Sequence, residues 1–115
     1  MSDIVDTRPV DPDKLKMYSF QLFTKLEGAV TAGMIHLGDQ LGLYAAMRRA
    51  GRPLSTTELA AATDTIERWV REWAFNQAAA KMIEAHADGT FSLSPEAAMS
   101  VRLTFVAGST KKLAR

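Results

Sequence analysis

Apolar positions recur at three- and four-residue steps through the first third of the chain. Leu15, Tyr18, Leu22, Leu26 and Ala29 form one line between Pro12 and about residue 35, and Phe20, Phe23, Val30 and Met34 form a second. That period predicts a helix, and Asp11 before Pro12 supplies an N-cap followed by proline at the first helical position. A surface helix of a monomer usually carries one apolar stripe. Two stripes predict burial from two sides. A second helix is predicted from about Asp39 to Ala50, through Leu41, Tyr44 and Met47, with Gly51 as its C-terminal cap. Leu37, Leu41 and Tyr44 continue the spacing from Met34, so the two segments also read as one bent helix. Gly33, Gly38 and Gly42 each weaken a helix by about 1 kcal/mol relative to Ala. They permit either a bend or the close approach of another helix, and the sequence leaves both open.

The pattern then changes. Arg52-Pro53-Leu54 is long enough only for a turn or an edge strand. Ser55-Thr56-Thr57-Glu58 is a capping box that opens a short helix from Thr56 to Ala62. Asp64-Thr65-Ile66-Glu67 reads as a repeat of the device, opening a longer helix from Thr65 to about Met82. Two helices joined by a short loop make a helix-turn-helix. Ile83, Ala85 and Ala87 alternate, Asp88-Gly89 offers a hairpin turn, and Phe91 and Leu93 alternate on the return. Ser94-Pro95-Glu96 starts a further helix. The fold class expected is mainly α: a winged helix-turn-helix with long N-terminal helices and a small β-hairpin wing. Residues 1–10 read as a disordered arm, 11–99 as a winged-helix dimerisation domain and 100–115 as an atypical basic tail. In that tail Val101, Leu103 and Phe105 alternate like a strand, and Arg102, Lys111, Lys112 and Arg115 follow Glu96 without another acidic residue.

In a DNA-reading winged helix the second helix of the pair enters the major groove. At about 100° per residue, Ile66, Trp69, Val70, Trp73, Gln77 and Ala80 share the face expected to be core. The opposite face holds Arg68, Arg71, Glu72, Phe75, Ala79 and Met82. Arg68 and Arg71 are the candidate DNA contacts, but Glu67 and Glu72 flank them, and carboxylates oppose a phosphate backbone. The line Phe75, Ala79 and Met82 suits a protein-covered face better than a groove-facing one. Its cover is either the first long helix of the same chain or a second chain. The candidate dimer interface is therefore Phe20, Phe23, Val30, Met34, Phe75, Ala79 and Met82.

Composition narrows the chemistry. The 115 residues support one domain, and a net charge of +1 gives no global pull toward nucleic acid. There is no cysteine, so disulfides and thiolate chemistry are excluded and the cytoplasm is the expected location. The acidic N-terminus lacks a signal-peptide pattern, and no apolar stretch approaches the roughly 20 residues of a membrane span. No glycine-rich nucleotide cradle is present. His36 and His86 lie far apart and lack a partner set for a metal. His36 reads as a histidine packed at a helix bend or interface, with a substrate contact as the alternative; His86 reads as solvated. Glu27 is read as solvated, and would be a candidate base only if buried. Phe20, Phe23, Met34 and Tyr44 read as core in preference to a small-ligand site. No catalytic, cofactor-binding or metal-binding residue is assigned.

The run Gly33-Met34-Ile35-His36-Leu37-Gly38-Asp39-Gln40-Leu41-Gly42-Leu43-Tyr44 resembles the opening helices of bacterial, often actinobacterial, S-adenosylmethionine-dependent methyltransferases. Leu54 to Ala62, Glu67-Arg68-Trp69-Val70-Arg71-Glu72-Trp73 with Gln77-Ala78-Ala79-Ala80, and Asp88 to Glu96 are similar to the same group. The resemblance spans roughly residues 18–98, and the Trp-Val-Arg-Glu-Trp block is its most specific part. It implies a winged helix ahead of a catalytic domain, building a homodimer and capping the substrate cleft without binding DNA. The glycine-rich S-adenosylmethionine loop and the catalytic sheet are missing here. The chain is thus expected to be non-catalytic alone and without its own cofactor. It is read as a truncated form, with a homodimer or a methyltransferase catalytic domain as partner and no membrane. A winged-helix DNA-binding regulator, using Arg68 and Arg71, is the alternative.

Overall fold

The computed structural model describes residues 5–113, with side chains as far as residue 105. Its elements are α1 (Pro12–Gln40), α2 (Leu43–Ala50), α3 (Thr56–Thr63), α4 (Glu67–Ala79), β1 (Glu84–Ala85), β2 (Phe91–Ser92) and α5 (Pro95–Leu113). This is the expected mainly helical winged helix-turn-helix with a small hairpin. The chain divides after Val30 into two units.

The first unit holds the N-terminal part of α1. The Asp13 backbone N–H donates to Asp11 Oδ1 at 2.9 Å, which is the expected cap. Ahead of it Arg8 pairs with Asp6. The side chains of the unit's two apolar lines stand exposed.

The second unit, from Thr31 onward, contains the winged helix. The α1–α2 junction is a break and not a bend: Gly42 sits in the left-handed region (φ 74°), a conformation that glycine adopts without steric cost. Gly38 answers the other alternative. A Cβ there would lie 2.6 Å from the rings of both Trp73 and Tyr44, so the end of α1 approaches α4 and α2 closely. Gly51 caps α2 as expected, its N–H donating to Met47 O.

The capping box at Ser55 is present in both directions. The Glu58 carboxyl is held down to about 2 by the Arg52 side chain first and by the Ser55 backbone N–H next. The second capping box is not formed. Asp64 instead takes a left-handed conformation (φ 52°) as the C-cap of α3, and Ile66 stands at the N-cap of α4 without a side-chain cap bond. The candidate capping groups are engaged elsewhere. Thr65 exchanges a hydroxyl hydrogen bond with Thr63 at 2.7 Å, and the Glu67 carboxylate accepts from Thr56 Oγ1 at 2.8 Å. α4 therefore begins at Glu67, later than the Thr65 expected.

It also ends early, at Ala79 instead of Met82. Lys81 enters the left-handed region (φ 61°). Its N–H donates to Ala78 O at 3.0 Å and that of Met82 to Gln77 O at 2.8 Å, the paired closing bonds of a Schellman motif.

Leu54 is an edge bridge to Phe91, with N–H···O distances of 2.9 and 2.8 Å. In the hairpin Glu84 faces Ser92 and Ala85 faces Phe91. A turn from His86 to Gly89 closes it, with Gly89 left-handed at φ 83°. Ser94 Oγ accepts from the Ala97 N–H at 3.1 Å, which caps α5.

The core of this unit gathers Leu43, Tyr44, Met47, Leu59, Val70, Trp73, Ile83 and Phe91. On α4 the buried set is Val70, Trp73, Ala74 and Gln77, a period of three and four residues. Ile66 and Trp69, expected to be core, are 66% and 65% exposed. Ile66 precedes the helix, and the buried stripe centres on Ala74, which leaves Trp69 at its edge. The strand read in Val101, Leu103 and Phe105 is also corrected. These residues lie in α5; Val101 is buried, Phe105 packs on the core four residues later, and Leu103 points away, exposed.

Candidate interaction surface

α4 is fixed by polar pins set within apolar packing. The Trp73 Nε1–H donates to Met34 O at 2.9 Å, and the Trp73 ring meets Tyr44 edge-on with centroids 5.2 Å apart. The Tyr44 hydroxyl donates to Gln77 Oε1, and Gln77 Nε2 donates to Asn76 Oδ1 at 3.2 Å. Gln77 has no exposed surface, so these bonds are what make its burial affordable. Burial first, and the Asp39 charge second, push the Tyr44 hydroxyl up to about 12.

With the inner face fixed, the outer face is defined. Phe75 is 55% exposed and tilts against Phe91 of β2, centroids 6.1 Å apart. Ala79 is exposed and Met82 half-buried. The Phe75, Ala79 and Met82 line thus starts beside the hairpin, which covers part of Phe75. Met34 is half-buried against the core of the same unit. Phe20, Phe23 and Val30 belong to the first unit, where all three are exposed, Phe20 at 74%.

The two candidate DNA contacts differ. Arg68 is exposed and lies over the Trp69 ring, 5.9 Å from its centroid. Arg71 is held by Glu67, with donor–acceptor distances of 2.8 to 3.1 Å. That bond raises the Arg71 pKa and, with the Thr56 hydroxyl, lowers that of Glu67. A guanidinium so committed has few donors left for a phosphate or a guanine.

His36 is exposed, so it is not packed at a bend of this chain. His86 is exposed, with Nε2 2.6 Å from Ser92 Oγ, and Glu27 is exposed. Tyr44 is core, whereas Phe20 and Phe23 are not. Among the described residues no cluster of three metal-ligating side chains occurs, and no helix is long and apolar enough to cross a membrane.

One feature escaped sequence reasoning: an apolar groove of about 330 Å³ between the end of α1 and the start of α4, lined by Leu37, Leu41, Ile66, Trp69 and neighbouring core residues. Its signal is present in the i, i+3 spacing of Ile66/Trp69, which reads as a core face, and in the i, i+4 spacing of Leu37/Leu41, which reads only as the helix continuing from Met34.

Residues 29–103 match the family described as the Rv2258c-like winged HTH domain. The chain belongs to this family. No curated protein matches the sequence. Among solved structures, this Rv2258c-like domain is similar to the mitomycin 7-O-methyltransferase, with a TM-score of 0.68 and 22% identity over 76% of this chain and 26% of that one. It is also similar to a pericyclic reaction enzyme, with a TM-score of 0.63 and 16% identity over 75% and 24% of the two chains. Human N-acetylserotonin methyltransferase, solved in complex with S-adenosylmethionine, gives a TM-score of 0.59 and 13% identity over 83% and 26%. The chain spans about a quarter of the length of these proteins. At such identities the likeness is one of fold.

Proposed function

We propose that this winged helix is a dimerisation and substrate-lid domain associated with S-adenosylmethionine-dependent methyl transfer. The observation that carries the reading is the exposure of both apolar lines of α1, from Leu15 to Val30. Most of a helix's stability in a protein comes from packing its apolar face. Exposed apolar surface on this scale marks an interaction site. Two of the three similar folds described above belong to methyltransferases, which supports that setting for the partner. The pericyclic enzyme shares the same fold, so in this reading the winged helix shapes and covers a site while its chemistry lies on a separate catalytic domain. The cofactor would bind there and not on this chain. The absence of cysteine fits a cytoplasmic setting.

Sedimentation velocity at micromolar concentration tests the pairing. The wild-type chain is expected to associate, and Phe23→Asp to weaken association at least a hundredfold, since an unpaired charge in a dry contact costs several kcal/mol. Wild type and Phe23→Asp sedimenting alike would remove the reading. A DNA-binding regulator predicts instead an affinity for duplex DNA that falls by orders of magnitude between low and physiological salt. Negligible binding even at low salt is the expected outcome, given the Glu67–Arg71 pair.

A further inference from the structure

We draw no further inference here: the strongest candidate, the apolar groove between the end of α1 and the start of α4 lined by Leu37, Leu41, Ile66 and Trp69, is an unpartnered face, and nothing in the structure shows what covers it.

Discussion

Gln77 is a polar side chain with no exposed surface, and the Tyr44 hydroxyl is its buried donor. Removing that hydroxyl leaves the amide oxygen unmatched in a low-dielectric interior, at a cost of about 1–3 kcal/mol. Tyr44→Phe is expected to lower stability by that amount in urea unfolding at neutral pH. The same residue sets an alkaline limit. Its pKa is raised from 10.0 to about 12, so the folded state favours the protonated hydroxyl. That contribution is whole below pH 10 and is lost as pH rises through 12. Urea midpoints measured from pH 9 upward should fall across this window in wild type and less in Tyr44→Phe. Equal slopes would mean that Tyr44 ionisation is not coupled to unfolding. The buried residues Tyr44 and Trp73 were partly legible from their spacing. Their joint approach to Gly38 was not, because three glycines of similar sequence context divide the work: Gly42 turns, Gly38 admits two rings and Gly33 faces open space.

At the scale of elements, the sequence located the capping box at Ser55, the Gly51 cap, the Leu54 edge, the Asp88-Gly89 turn and the start of α5. Apart from the Leu54 edge, each rests on a local signal: a side chain bonding a nearby backbone group, or a glycine free to take positive φ. Failures came where a tertiary contact outbid a local one. Glu67 bonds Thr56 and Arg71 instead of the backbone at the start of α4. The Val101–Phe105 alternation of period two also satisfies an i, i+4 helix pair. α4 ends in a Schellman motif whose left-handed position holds Lys81, where glycine would be the usual signal. Lys81→Gly is therefore expected to stabilise the domain by roughly 0.5–1 kcal/mol by relieving the Cβ strain at that φ. Chemical denaturation would show it as a higher midpoint with an unchanged slope; a lower midpoint would mean the lysine side chain contributes more than its backbone costs.

For the whole molecule, the winged-helix architecture was legible because many weak local signals agreed, and membership of the Rv2258c-like family accords with it. The exposed apolar surface was legible only in part. Two apolar lines on α1 announced a covered helix, yet Trp69 and Ile66 were assigned to the interior since a tryptophan at helical spacing is usually core. The folded chain leaves both exposed, and it carries a net charge of only +1 to oppose self-association. The central claim is that this domain pairs through its uncovered apolar surface. The molar mass of the native chain, measured by light scattering across a micromolar concentration series, tests it most directly. The account predicts a mass approaching twice the 12.6 kDa of one chain as concentration rises, reversing on dilution. A mass that stays at that of one chain throughout the series would contradict it.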